Sequence, residues 1–150
     1  MREILFKAKR LDNGEWVEGN LIHCEDVDEN CKAIIIPKTD AEMYEGIEGI
    51  FEDDLGFEKW YKVDPTTLCQ YTGLMDKNGR RIWENDICDR KEKYPEIVVF
   101  NKGDWQLDYS YVFGKEIHYS ACNLGFYVCE RKCVKVIGNI FDNPELLEVE

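Results

Sequence analysis

Short runs of alternating apolar and polar residues, broken at turn signals, organise this chain. Ile4 to Lys9 and Glu15 to Ile22 are two such runs around Asp12-Asn13-Gly14, whose Asn and Gly tolerate the positive φ of a tight turn. A β-hairpin therefore opens the sequence. KAIIIP is a short apolar strand that ends at Pro37, where proline cannot donate a ladder hydrogen bond. From Lys38 to Gly56 the pattern decays: Ala41 to Tyr44 has room for one helical turn, while Gly46, Gly49 and Gly56 favour loop. Extended character returns at FEKWYKV, and Asp64-Pro65-Thr66-Thr67 reads as a capped helix start or turn, with an acceptor side chain at the cap and proline at the first position.

The second half repeats the strand-and-turn rhythm. Asp76-Lys77-Asn78-Gly79 separates Tyr71–Leu74 from Arg81–Trp83, strands follow at Ile87–Arg90 and Glu96–Phe100, and Asn101-Lys102-Gly103-Asp104 leads into Trp105–Tyr109. Turns at this spacing predict a small barrel or a sandwich. Glu116–Cys122 and Phe126–Arg131 are expected to be extended, and Val134–Ile140 to be a last strand with a bulge or close backbone approach at Gly138. Asn143-Pro144-Glu145-Leu146-Leu147 predicts a short capped helix. The fold class is mainly β with short helices; the alternative is α+β.

Composition narrows the class. Of 150 residues, 44% are hydrophobic and 13% aromatic, which excludes a disordered chain and favours sheet. Charges interrupt every apolar run of the opening MREILFKAKR, and no later segment nears the length needed to span a membrane, so a soluble, cytoplasmic protein is expected. Seven cysteines (24, 31, 69, 88, 122, 129 and 133), with no C-x-x-C pair, predict reduced and largely buried thiols.

The net charge of −12 is uneven: residues 1–70 carry 8 basic and 17 acidic groups, net −9, while 71–150 carry 11 and 14, net −3. Two parts are expected, an acidic β-rich region over 1–70 and a barrel with a short C-terminal helix over 71–150. Nine carboxylates between Asp40 and Asp64 face only Lys59 and Lys62, which reads as a solvated face, or alternatively as an acidic mimic of DNA.

Candidate chemistry is sparse. Asp76, Asn78 and Gly79 lack the spacing of a calcium loop, and Asp26, Asp28 and Asn30 are followed by Cys31 where that loop needs glycine. Glu84, Asp86 and Asp89 have no histidine nearby and are flanked by Arg80, Arg81 and Arg90, so turn capping is expected of them, with Asp86 holding its own turn. His118, Cys122, Cys129 and Cys133 match no zinc module, and His23 beside Cys24 in a strand would point to the opposite face. With no phosphate-binding loop or nucleophile motif, no catalytic residue, metal or cofactor is expected, and the chain reads as no enzyme.

Basic residues cluster as Lys77, Arg80 and Arg81, as Arg90, Lys91 and Lys93, and as Arg131, Lys132 and Lys135. Lys77, Arg80, Arg81, Trp83, Arg90 and Trp105 form the candidate binding surface, since small barrels bind partners through such cations and aromatics. The overall negative charge weighs against nucleic acid, which stays the alternative to a protein partner or self-association.

Three blocks carry a family resemblance over the whole chain: MREILFKAKR, CQYTGLMDKNGRRIWENDI and VIGNIFDNPELLE. In order and spacing they resemble the YopX family of phage and prophage proteins, whose members open with an RxIxFRAW-like strand, continue with QYTGLKDKNGKEIYEGDIV and close with VIGNIYENPELL. Asn85 stands where the family usually has Gly, and Cys88 where it usually has Val. The resemblance implies a mostly β fold with an SH3-like small barrel in the C-terminal half, in a bacterial or phage-infected cytoplasm, and no enzyme activity. The expected role is that of a non-enzymatic accessory protein, a protein-binding module.

Overall fold

The computed structural model describes residues 2–25, 32–37, 59–114 and 122–149. The chain folds as two compact units, Glu3–Gln70 and Tyr71–Glu150, and its strands pair antiparallel in two sheets. In the first unit β1 (Phe6–Lys9) and β2 (Trp16–His23) form the expected hairpin, registered from Phe6 opposite Gly19 to Lys9 opposite Trp16. Its turn closes with Gly14 at φ +71 and with the Gly14 amide donating to the Arg10 carbonyl. Next to β2 lie β3 (Ala33–Pro37) and then β4 (Tyr61–Lys62).

Period-2 patterning sends Ala8, Ala33, Ile35 and Val63 into one core, against Phe6, Val17, Leu21 and Leu68. Gly19 is needed there, because a Cβ on it would run into the Ile36 carbonyl of β3. The Asp64 cap is real: its carboxylate accepts from the Thr66 amide at 3.0 Å and starts a 3-10 helix, Pro65–Thr67. The proposed turn at Ala41–Tyr44, the acidic run from Asp40 to Glu58, and Cys31 lie outside the described residues.

Strand β5 (Cys69–Met75) starts in the first unit, where Cys69 and Gln70 pair with β1. Its later residues belong to the second unit and pair with β6 (Arg81–Trp83), with a register shift between Tyr71 and Met75 around Gly73 at φ +84. The second sheet contains β7 (Asp86–Asp89), β8 (Glu96–Asn101), β9 (Asp104–Asp108), β10 (Cys122–Asn123) and β11 (Lys135–Asn139), in the order β10-β9-β8-β7-β11. Its core is Ile82, Cys88, Val98, Leu107, Leu124, Val134 and Val136.

No ladder joins β10 to β11 among the described residues, so this sheet is open there rather than a closed barrel. Among the described residues β10 is two residues long, and the chain coils into a helix soon after it.

That helix corrects one expectation. Phe126–Arg131 is not a strand; Phe126–Glu130 is π-helical, and Gly125 before it already has helical backbone angles. The Asn123 side chain accepts from the Phe126 amide at 2.7 Å, while Leu124, Tyr127 and Val128 all pack on the core. Their i, i+3, i+4 spacing is a helical stripe, and it overrides the strand preference of aromatic and β-branched residues.

The last strand bulges between Val136 and Gly138, as its glycine predicted. A Cβ on Gly138 would stand 2.5 Å from Asn143 Oδ1. Asn143 does not cap its own helix, Pro144–Leu147, with its side chain; it accepts instead from the Asn139 amide at 3.2 Å and so fastens the end of β11.

Candidate functional site

Within TGLMDKNGRRIWENDI the side chain that organises the turn is Asp76. Its Oδ1 accepts from the amides of Asn78 and Arg80, each at 2.9 Å, and its Oδ2 from the Val136 amide, also at 2.9 Å. Burial alone would raise its pKa, but the three backbone donors outweigh it and hold the carboxyl below the usual range. Three of the roughly four acceptor positions of this carboxylate are taken by backbone N–H groups, so its role here is to hold the turn. Asp86 likewise holds its own turn, accepting from the Trp83 amide at 2.8 Å. Between them Asn85 sits at φ +69, a conformation that Asn tolerates and Gly adopts freely.

The six candidate surface residues do not form one face. Lys77 and Arg80 are exposed on the Asp76 turn, and the Arg81 guanidinium lies 5.3 Å from the Tyr71 ring centroid. Trp83 is 5% exposed and packs on Tyr71, so it is a core residue and offers no ring to a ligand. Trp105 is half-buried, against the core on one side and edge-on to Phe100 at 4.9 Å on the other. Arg90 follows the far end of β7, and its charge is already used.

Around Arg90 a different arrangement emerges. The strand register places Glu96 opposite Cys88, on the core side of β8, and only 1% of Glu96 is exposed. Arg90 Nε donates to Glu96 Oε1 at 2.5 Å, Nη1 to Glu92 Oε1 at 3.1 Å and Nη2 to Cys122 Sγ at 3.4 Å, with the guanidinium 4.2 Å from the Tyr127 ring centroid.

Glu96 Oε2 is enclosed and makes no hydrogen bond. Burial pushes the Glu96 carboxyl up, against the opposing pull of Arg90. For Arg90, burial favours the neutral form, but the bond to Glu96 prevails and its pKa rises. Arg90, but not Glu96, reaches a cleft of about 370 Å³ lined by Arg90, Glu92, Lys93, Tyr94, Tyr109, Cys122 and Tyr127.

Sequence reasoning found Arg90 and missed the three tyrosines. A partial signal was present in Lys93-Tyr94-Pro95, an aromatic in a loop between two strands, but Tyr109 and Tyr127 reach the cleft only through the fold.

The thiols also differ from expectation. Cys69 and Cys88 are buried, and burial raises the Cys88 thiol far above its usual pKa, but Cys24 and Cys129 are exposed and Cys122 and Cys133 are half-buried. Cys129 lies on the helix, and His118 lies outside the described residues. No cluster of three or more metal-ligating side chains occurs among the described residues. No helix among them is long and apolar enough to cross a membrane.

Fold and site together define a mainly β protein of two antiparallel sheets, with an aromatic cleft on the second unit. The family model for YopX protein matches residues 5–148, and the chain belongs to the YopX family. Among solved structures it is similar to the crystal structure of protein EF1440 from Enterococcus faecalis, with 26% identity and a TM-score of 0.58 over 99% of this chain and 100% of that one. No curated protein matches it.

Proposed function

We propose that this protein is a non-enzymatic accessory protein of phage or prophage origin, working in the cytoplasm of a bacterial host as a protein-binding module. Its second unit acts as an opened SH3-like barrel, and the docking site is the cleft of Tyr94, Tyr109 and Tyr127. The observation that carries the reading is the combination in that cleft of several aromatic side chains with a cation already neutralised by two carboxylates. Aromatic rings give contact area at low conformational cost and are enriched at protein interfaces. An arginine held by Glu96 and Glu92 attracts phosphate weakly, which with a net charge of −12 disfavours nucleic acid.

A photo-crosslinking amino acid at position 94, compared with one at position 77 on the basic turn, tests this in host lysate with and without nuclease. Protein adducts from position 94 that resist nuclease are expected. Nucleic-acid adducts from position 77, with none from position 94, would reverse the reading in favour of nucleic-acid binding.

A further inference from the structure

We infer that the second unit carries a further docking surface, made by the Asp76 turn and the segment 131–135, which takes a carboxylate-rich segment of a partner protein. This surface goes beyond the tyrosine cleft and shares no residue with it.

The fold joins two basic clusters that are far apart in the sequence. The Lys77 amide donates to the Val134 carbonyl at 3.0 Å, and the Val136 amide donates to Asp76 Oδ2 at 2.9 Å, which sets the turn of Lys77 and Arg80 beside the segment of Arg131, Lys132 and Lys135. Both segments are held firmly. Asp76 fastens its turn through the amides of Asn78 and Arg80, while the amides of Arg131 and Cys133 donate to the carbonyls of Phe126 and Tyr127, each at 3.2 Å. Val134 and Val136 are buried and Lys135 between them points outward; the other four cations are exposed as well.

None of the five is in an ion pair among the described residues. The acids nearest to them are Asp76, already bound by three amides, the exposed Glu130, and the exposed Asp89, which is opposite Lys135 in the β7–β11 ladder. Of the 11 basic and 14 acidic groups of residues 71–150, five and three lie here, which leaves six against eleven elsewhere. A local positive excess therefore stands on a negative protein.

That contrast selects the partner. A nucleic acid carries about one charge per 1.7 Å of duplex and continues past the five cations, over surface where acids predominate. Single strands are held by cations together with stacked rings, and Trp83, the tryptophan nearest the turn in sequence, is buried. A short run of Asp and Glu on a partner protein matches the five cations and ends where they end.

The test uses the full-length protein and two probes of equal net charge, a peptide of glutamate and aspartate spaced by glycine, and a single-stranded oligonucleotide. At physiological salt, amide chemical-shift mapping should show saturable shifts at residues 77–80 and 131–135 with the peptide, at lower concentration than with the oligonucleotide. Lys77→Glu with Lys135→Glu, one reversal in each segment, should weaken peptide binding about tenfold, as two exposed ion pairs give way to two repulsions. Each reversal alone should give part of that loss, because the two segments act as one surface. Lys102→Glu makes the same change in net charge on the exposed β8–β9 turn and should leave the affinity unchanged. The inference is overturned if no peptide shifts appear at these residues, or if Lys102→Glu weakens binding as much as Lys135→Glu, since net charge alone is then sensed. Tighter binding of the oligonucleotide at the same residues would give the surface to nucleic acid instead. Concentration-dependent dimerisation that the double reversal abolishes would give it to a second copy of this chain and likewise remove the separate partner.

Discussion

Two buried carboxylates in the second unit show how differently one chain treats the same chemical group. Asp76 is 7% exposed and receives three backbone N–H donors, while Glu96 is 1% exposed, receives one arginine and leaves an oxygen bare. Backbone donors are fixed by the fold, so Asp76 costs nothing to hold in place and ties its turn to the chain at Val136. Glu96 depends on a long side chain whose other contacts, Glu92 and Tyr127, line an open cleft. Asp76 is satisfied by the backbone and so belongs to the architecture of its turn, while Glu96 is only partly satisfied in a low-dielectric setting where an unpaired oxygen is costly.

The contrast is sharpest in the response to Arg90→Met. Removing the arginine leaves Glu96 buried and unpaired, and should destabilise the protein by about 3–5 kcal/mol at neutral pH. A carboxyl whose folded pKa is raised contributes stability at low pH and loses it as pH rises through that pKa. Chemical denaturation of Arg90→Met should therefore show a smaller deficit near pH 4 than near pH 7, and the double variant Arg90→Met/Glu96→Gln should recover most of the loss. A deficit independent of pH would show that Arg90 acts through Tyr127 packing instead.

Asp76→Asn is expected to cost about 2–3 kcal/mol, because an amide can accept at one oxygen only and sets an NH2 group against a backbone N–H. Here the pH dependence runs the other way. The folded pKa is lowered, so the stability from Asp76 is present above the ordinary carboxylate pKa and is lost as pH falls through the folded value. The variant's acid unfolding profile should be correspondingly flatter than the parent's below about pH 4.

Gly79→Val tests the same turn without touching the carboxylate. Gly79 sits at φ +78 with open space around its missing Cβ, so the cost is backbone strain alone, about 1–2 kcal/mol by thermal unfolding. The smallest effect belongs to Arg80→Ala combined with Arg81→Ala. Arg80 is exposed on the Asp76 turn and Arg81 is half-buried at the start of β6 beside the Tyr71 ring, so their joint loss should cost about 0.5–1 kcal/mol in the same assay. A larger loss would mean that the turn is held by charge as well as by its buried acid.

The helix at Phe126–Glu130 shows where local reading runs out. FYVCE is rich in strand formers, and only the tertiary demand that Leu124, Tyr127 and Val128 share one buried face makes it helical. Trp83 failed as a surface residue for a related reason. The stretch around it carries Arg80, Arg81 and Glu84, but pairing with Tyr71 across the β5–β6 ladder turns it inward. The thiols divide in the same way, since among the described residues only Cys69 and Cys88, both on strands, are buried.

By itself the sequence determined the turns, because turn chemistry is local. Asn13-Gly14, Asp64-Pro65, Asp76 to Gly79, Lys102-Gly103 and Gly138 each meet a backbone requirement within a few residues, and the strands between them follow from period-2 burial. The same local signals, in fixed order, carry the family. The tertiary structure alone decided which acid would be caged and which left half-paired, and it alone brought Tyr94, Tyr109 and Tyr127 around Arg90 from a loop, a strand end and a helix. Tyr109 and Tyr127 are far from Arg90 along the chain, and nothing in the segment around Arg90 encodes them. Burial and hydrogen bonding between distant segments exist only once the sheet has formed, and so does the cleft.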